Sequence, residues 1–216
     1  MENISSKRIA ILLFSLLSIG LLITRIILTG EFTFAFLTWN LFLAYIPMGL
    51  STLLYLKSDG IEKWQFWPVA AVWLLFFPNA PYILTDLFHL EPRPGISEWF
   101  DLLLILSFAI TGVLFGLLSL RNMHRVVIQI HSKITGFLFA GGSIVLGSFG
   151  VYLGRYDRYN SWDVFRTPDE IFFTIARRML HPTHHLNTWG LTIGLSLLLA
   201  LLYILMGGAT AESRKK

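Results

Sequence analysis

The stretch 76–90 combines a carboxylate, an imidazole and an amide at the end of a long apolar run. Asn79, Tyr82, Asp86 and His89 follow one another at offsets of three, four and three residues, so a helix would carry them on one face. A carboxylate beside an imidazole can act as a general acid–base pair, or the two can be ligands to a metal or other ion. The alternative is structural, with Asp86 capping a helix end or pairing with an arginine elsewhere.

A second polar cluster, 155–163, contains two arginines, two aspartates and three aromatic residues. Continued as a helix, it would place Arg155, Arg158 and Trp162 on one face, although the Asn-Ser pair before Trp162 also favours a turn. Two guanidinium groups at a membrane interface suit a phosphate or a carboxylate, which they can bind bidentately. The structural alternative is an aromatic belt in which arginine–aspartate pairs close this face of the protein.

Asp101 adds a further acid, in the first turn of a later apolar segment, where the helix dipole favours a carboxylate. The catalytic candidates are therefore Asp86, His89, Asp101 and Asp163. The ligand-binding candidates are Asn79, Tyr82, Arg155, Arg158, Asn160 and Trp162. No metal ligand is assigned, because Pro182 disrupts helical spacing among the neighbouring histidines and no His-Glu-x-x-His pattern occurs. The cofactor is unknown.

Six apolar segments must position these residues, and each is long enough to cross a membrane. Hydrophobic residues make up 55% of the 216 residues and charged residues only 14%, which indicates an all-α polytopic integral membrane protein with a single membrane domain. The segments are predicted at about 9–28, 32–56, 64–90, 98–120, 134–154 and 186–206. The third is predicted to break at Pro78–Pro81, because each proline removes a backbone donor.

The connection between the fifth and sixth segments contains a shorter helical pattern at about 168–180. Pro168 and two acids begin it, an apolar face runs along it, and Arg177 and Arg178 fall in its last turn. This pattern predicts a short amphipathic helix that lies in the membrane interface. The first segment is longer than the core of a signal peptide and no Ala-x-Ala site follows it, so an uncleaved spanning helix is predicted.

The distribution of lysine and arginine predicts the orientation. Ten of the 17 basic residues fall on one side and seven on the other, which places both termini in the cytoplasm and the protein in the plasma membrane. Arg25, near the end of the first segment, is expected to extend toward the interface. The ten are Lys7, Arg8, Lys57, Lys63, Arg121, Arg125, Lys133, Arg214, Lys215 and Lys216. Both candidate clusters then face away from the cytoplasm.

Composition also excludes several classes of function. The chain has no cysteine, so disulfides, thiolate metal sites and thiol nucleophiles are excluded. The net charge of +4 is explained by positive-inside loops, and no basic stripe interleaved with aromatic residues indicates nucleic-acid binding. The expected partners are the lipid bilayer and an anionic lipid or lipid-linked ligand, and protein partners are unknown.

Two strings resemble a bacterial multi-pass membrane family, known as domain of unknown function family 1361. The first runs from Pro78 through Leu87 and includes His89, and the second contains Gly154, Arg155, Tyr156, Arg158, Asn160, Ser161, Trp162 and Asp163. The resemblance spans about 39–189. It implies an integral membrane protein of about this size with several helices, and it implies no reaction, substrate or catalytic residue.

The leading hypothesis is an enzyme or binding protein with a polar site on the extracytoplasmic face, acting on an anionic, lipid-linked ligand. Arg155 and Arg158 would hold the anion, and Asp86 with His89 would be an acid–base pair or ion ligands. The geometry that supports a site is an Asp86 carboxylate within about 3–5 Å of the two guanidinium groups, around an open pocket.

Two other functions are open at this point. A small ion-coupled transporter is favoured by the broken third segment, because discontinuous helices form ion and substrate sites, whereas the absence of internal repeats speaks against it. An accessory or assembly protein without chemistry of its own is favoured if the polar layer is fully paired and has no cavity beside it.

Overall fold

The computed structural model describes residues 2–208, including their side chains except those of 2–8 and 59. Over this range the chain forms α-helices and short 3₁₀ segments. The α-helices are α1 (Glu2–Thr29), α2 (Phe36–Leu56), α3 (Lys63–Phe76), α4 (Asn79–Tyr82), α5 (Glu98–Ile130), α6 (Lys133–Tyr156), α7 (Asp163–Arg166), α8 (Pro168–Leu180) and α9 (Leu186–Leu205). The 3₁₀ segments are Ser58–Gly60, Ile83–His89 and Pro182–His185. Arg214, Lys215 and Lys216, which were used to predict orientation, lie outside the described residues.

Six segments in the described part of the chain are long and apolar enough to span a membrane, as predicted. They are Ile9–Thr29, Phe36–Leu56, Lys63–His89, Glu98–Ile130, Lys133–Tyr156 and Pro182–Leu205. The third is interrupted between α3 and α4, at Phe77 and Pro78, and tightens into a 3₁₀-helix from Ile83. The prediction of an all-α, multi-pass membrane protein with a broken third segment is therefore confirmed.

Helix α5 lies at the centre of the bundle. It packs against α1, α2, α4, α6, α9 and the 3₁₀-helix Ile83–His89. Of the residues in its most apolar stretch of 18 residues, 67% are buried. In the corresponding stretches of the first and last spans, only 17% and 22% of the residues are buried. These helices therefore lie at the periphery of the bundle, where more of their surface can contact lipid. Helix α5 is also longer than the predicted 98–120, because packing buries Met123, Val126 and Val127 beyond Arg121.

Small residues allow the broken third segment to approach α5 closely. A Cβ atom added at Gly112 would lie 2.7 Å from the carbonyl oxygen of Ala80, and one added at Gly116 would lie 2.9 Å from the Ala80 Cβ. Only glycine permits this distance between the two backbones. The close approach fixes α4 and the following 3₁₀-helix against the centre of the bundle.

The spans alternate in direction, so the candidate residues gather at one end, which we call the Asp86 end. It is formed by the C-terminal ends of α1, of the broken third segment and of α6, and by the N-terminal ends of α2, α5 and α9. Helix α8 lies in the connection at this end, with Ile171 buried while Phe172, Phe173 and Met179 are exposed. The predicted short helix at 168–180 is therefore confirmed, and its position in the membrane interface stays a prediction.

Candidate functional site

Polar side chains replace helical hydrogen bonds at the break in the third segment. Pro78 has no N–H and cannot continue the helical hydrogen-bonding pattern of α3. Asn79 Nδ2 instead donates to the Phe76 carbonyl oxygen at 2.9 Å and to Ser161 Oγ at 3.0 Å, and Ser161 Oγ donates to the Leu75 carbonyl oxygen at 2.9 Å. The loop after α6 is thereby fastened to the end of α3.

The 3₁₀-helix divides the face that the sequence predicted for 79–89. A 3₁₀-helix has three residues per turn, so Asp86 and His89 stay aligned while Tyr82, four residues before Asp86, turns to another side. Asp86 is 1% exposed and His89 is exposed. The predicted single face of four residues is therefore not formed, and Tyr82 belongs to a different surface from the acid and the imidazole.

Asp86 lies between an amide and a guanidinium group. Asn40 Nδ2 donates to Asp86 Oδ2 at 2.8 Å, and Arg155 Nη1 lies 4.0 Å from Asp86 Oδ1. Arg155 Nη1 is also 3.1 Å from His89 Nε2, which must accept because a guanidinium group only donates. The Arg155 guanidinium lies over the Phe88 ring, 5.3 Å from its centroid. Asn40 was not among the candidates, although its polar amide inside an apolar segment was a signal.

Asp101 belongs to a separate, sealed pair. Arg25 Nε donates to Asp101 Oδ1 at 2.8 Å, and the two side chains are 0% and 1% exposed. The Arg25 guanidinium also lies 4.7 Å from the centroid of the Phe34 ring. The expectation that Arg25 extends to the interface was wrong, because a buried carboxylate on α5 holds it inside the bundle. The structure does not bring Asp101 to Asp86.

The loop after α6 does not continue as a helix. Helix α6 ends at Tyr156, and Arg158 adopts a positive φ of 61°. Asp163 Oδ2 accepts hydrogen bonds from the backbone N–H of Asn160 at 2.7 Å and from Asn160 Nδ2 at 3.1 Å. The alternative with a turn at 160–161 is therefore the one observed, and the common face of Arg155, Arg158 and Trp162 is not formed. Arg158 is exposed and Trp162 is half-buried at the start of α7.

A cavity of about 520 Å³ lies beside these residues, among α2, α3, α4, α6, α7 and α8. Polar side chains line the part of its wall that lies toward the Asp86 end: Asn40, Asn79, Tyr82, Tyr159, Asn160 and Ser161. The remaining wall is mostly apolar and is formed by Leu43, Ala71, Leu74, Leu75, Pro78, Leu146, Phe149, Gly150, Leu153, Gly154, Val164, Ile171 and Ile175, with Trp39 at its side. Among the described residues that line the cavity, none carries a formal charge.

The predicted site residues are thus placed in three groups. Asn79, Tyr82 and Asn160 line the cavity. Asp86, His89 and Arg155 form a cluster that Asn40 connects to the cavity, since Asn40 both lines it and donates to Asp86. Asp163 does not line the cavity but accepts hydrogen bonds from Asn160, which does. The residues placed apart from both groups are Asp101, Arg158 and Trp162. Arg155 meets the expected distance of about 3–5 Å from Asp86 and Arg158 does not take part.

The histidines after α8 do not form a metal site. His181 and His184 have ring centroids 5.9 Å apart. Across the part of the chain that the structure describes, no group of three or more histidine, aspartate or glutamate side chains could hold a metal ion.

The fold and the polar end of the bundle define a polytopic, all-α membrane protein with a cavity in its flank. A family model described as protein of unknown function (DUF1361) matches residues 39–202, which include every described residue that lines the cavity. The chain therefore belongs to this uncharacterised family. No curated protein matches the chain, and no solved structure matches it either.

Proposed function

We propose that this protein binds a membrane-borne, lipid-linked ligand in the cavity. The observation that carries the proposal is the separation of polarity along the cavity wall. All the polar residues lie toward the Asp86 end, where the apolar Val164, Ile171 and Ile175 also line the cavity. The wall farther from this end is apolar: Ala71 and Leu146 lie eight residues before Asn79 and ten residues before Tyr156. At about 1.5 Å per residue, the apolar wall extends about 12–15 Å toward the middle of the bundle. A lipid presents the same order of polarity, with its headgroup at the interface and its chains inside.

The sides of the cavity support entry from the bilayer. Trp39 and Leu146 each have 55% of their surface exposed although they line the cavity, and Ala71 is exposed as well. In a membrane these side chains would contact lipid rather than water. A ligand dissolved in the bilayer could therefore reach the cavity laterally between α2 and α6.

Filling the cavity tests this proposal directly. The purified protein is placed in phosphatidylcholine vesicles with a diacylglycerol that carries a photoreactive diazirine in one acyl chain. We expect cross-links on peptides of α3 and α6, and we expect Ala71→Phe to reduce them about tenfold, because the phenyl ring would occupy the space of the chain. The matched control is Val72→Phe, since Val72 is the next exposed residue of α3 and does not line the cavity. Equal labelling of the two variants and the wild type would contradict the proposal.

We propose further that the Asp86 end faces away from the cytoplasm, with both termini cytoplasmic and the protein in the plasma membrane. This orientation is supported by the distribution of basic residues in the sequence. It places the polar end of the cavity at the extracytoplasmic interface.

A second candidate is an anionic ligand held by Arg155, with Asp86 and His89 in acid–base roles. It is favoured by the convergence of these three side chains and by the exposure of His89, which a ligand at the surface could contact. Arg155 directly follows Gly154, which lines the cavity. Preference of the protein for phosphate-bearing lipids would support this candidate.

Ion-coupled uptake into liposomes that is lost in the Asp86→Asn variant would instead support a transporter.

A further inference from the structure

Three asparagine side chains at the polar end of the cavity have orientations that their partners dictate. Asn40 Nδ2 donates to the Asp86 carboxylate at 2.8 Å, and Asn160 Nδ2 donates to the Asp163 carboxylate at 3.1 Å. Asn79 Nδ2 donates to the backbone carbonyl of Phe76 at 2.9 Å. Ionised carboxylates and backbone carbonyls only accept hydrogen bonds, so none of the three amides can be rotated to present its oxygen to that partner.

The three amide oxygens, together with one N–H group each of Asn40 and Asn160, are the hydrogen-bonding atoms that these residues leave for a ligand. Within residues 2–208 no donor is found for the Oδ1 atom of Asn40, Asn79 or Asn160. Asn79 uses both N–H groups of its Nδ2 atom, on Phe76 and Ser161, whereas Asn40 and Asn160 each use one of the two. The Ser161 hydroxyl is used in both directions, as donor to Leu75 and acceptor from Asn79. The polar end of the cavity therefore combines three amide oxygens, which only accept, with two amide N–H groups and the hydroxyls of Tyr82 and Tyr159. A ligand that fits it must donate hydrogen bonds as well as accept them.

Electrostatics restricts the ligand further. Ionised phosphate and carboxylate oxygens only accept, so they would leave the three amide oxygens without donors, and they would find no oppositely charged side chain on the described cavity wall. An ammonium group would donate, but it would also lack a charged partner there, because the nearby Asp86 is 1% exposed and lies behind Asn40. A charge buried at membrane depth without a partner is costly. Hydroxyl groups donate without carrying charge.

We infer that the cavity binds a lipid with an uncharged, hydroxyl-bearing headgroup, such as a polyol or a sugar. This inference rests on the proposed function and narrows its ligand, and it differs from the anionic ligand that the sequence suggested. The hydroxyl hydrogens of the headgroup bind the amide oxygens of Asn40, Asn79 and Asn160, and its acyl chains lie along α3 and α6.

Competition against the photoreactive diacylglycerol tests the inference. Three competitors carry the same acyl chains: glucosyl-diacylglycerol, phosphatidic acid, and diacylglycerol whose hydroxyl is capped as a methyl ether. The vesicles are prepared without maltoside detergents, whose sugar hydroxyls would compete. We expect glucosyl-diacylglycerol to displace the probe at a concentration at least about tenfold below that of the other two, which corresponds to roughly one to two hydrogen bonds. Equal or better displacement by phosphatidic acid or by the methyl ether overturns the inference.

The variant Asn160→Ala connects this preference to the cavity. Its backbone N–H still donates to Asp163 at 2.7 Å, so the loop before α7 keeps this hydrogen bond while the side-chain amide of residue 160 is removed. We expect the glucosyl-diacylglycerol concentration for half-displacement to rise about fivefold to tenfold, with phosphatidic acid unchanged. Asn187→Ala is the control, because Asn187 is an exposed amide on α9 outside the cavity. An unchanged preference in Asn160→Ala overturns the assignment of the amide oxygens.

The two proposals fail in different ways. If probe labelling does not depend on Ala71→Phe, the cavity does not bind the lipid and the proposed function is wrong. If labelling depends on Ala71→Phe but shows no preference among the three headgroups, the proposed function stands and the inference about the headgroup is wrong.

Discussion

At the scale of single residues, Asp86 and Asp101 are equally buried but are held differently. Asp101 has a guanidinium group at 2.8 Å, whereas Asp86 has an amide at 2.8 Å and its guanidinium group only at 4.0 Å. The closer pair lies on α1 and α5 and connects a peripheral helix to the central one. The Asp86–Arg155 pair, with the longer distance, lies beside the cavity. Because Arg155 is not held tightly by Asp86, its guanidinium group can still form other contacts there.

The Arg25–Asp101 pair predicts a strong effect of removing one partner. Arg25→Met leaves the Asp101 carboxylate buried without its countercharge, and we expect a loss of about 3–5 kcal/mol in unfolding free energy. The double variant Arg25→Met, Asp101→Leu removes both charges and should recover most of that loss. Unfolding in mixed micelles measures both effects. A single variant as stable as the wild type would show that the pair contributes nothing.

Asp86 predicts a different result, because its strongest contact is the amide of Asn40. Asp86→Asn keeps an oxygen that can accept from Asn40, so the yield of folded, monodisperse protein should stay near that of the wild type. Asp86→Leu removes the acceptor and should cost about 1–3 kcal/mol. Size-exclusion chromatography and thermal unfolding compare the two variants. If Asp86→Asn is as damaging as Asp86→Leu, the negative charge itself, and not the hydrogen bond, holds this region together.

At the scale of elements, the break in the third segment depends on close packing with α6. A Cβ atom added at Gly150 would lie 2.6 Å from the Pro78 Cγ, and one added at Gly147 would lie 2.6 Å from the Phe77 ring. Helix α6 thus packs directly against Phe77 and Pro78, the two residues between α3 and α4. The rigid proline ring leaves little room for adjustment.

Two glycines of α6 therefore predict opposite effects of the same substitution. Gly150→Ala should destabilise the protein by about 1–3 kcal/mol through overpacking against Pro78. A Cβ added at Gly141 has no other atom within 4 Å, so Gly141→Ala should be neutral or stabilising by up to about 1 kcal/mol through helix propensity. Thermal unfolding of both variants in the same micelles makes the comparison. Equal stability of the two would show that α6 does not approach Pro78 this closely.

At the scale of the whole molecule, the odd and even spans run in opposite directions and place all cavity-lining polar residues at one end. This arrangement has a functional meaning only if that end meets a defined side of the membrane. The positive-inside distribution gives our proposal for that side.

The absence of cysteine makes the orientation simple to test, because any introduced cysteine is unique. Glu91→Cys lies at the Asp86 end and His131→Cys at the other end, and both positions are exposed. With a membrane-impermeant maleimide on intact cells, we expect Glu91→Cys to be labelled and His131→Cys to be labelled only after lysis. The reverse pattern would place the Asp86 end in the cytoplasm.

Much of the candidate site could be predicted because its polar residues interrupt apolar segments. Asn79, Tyr82 and Asn160 were chosen as ligand-binding residues, and they line the cavity. The meeting of Asp86 with Arg155 was also anticipated. Asn40 and Ser161 were missed, since their roles depend on partners that lie 46 and 86 residues away in the chain.

The sequence alone determined the six spans, the break near Pro78 and the amphipathic helix α8. These features depend on local properties: the length of an apolar run, a missing N–H and the period of a helix. The tertiary structure alone decided that Arg25 is buried against Asp101, that α5 continues to Ile130, and that Asn40, Asn79 and Asn160 line one cavity. Each of these depends on which distant groups become neighbours, and burial in a membrane interior makes such pairings decisive because unpaired polar groups there find no water.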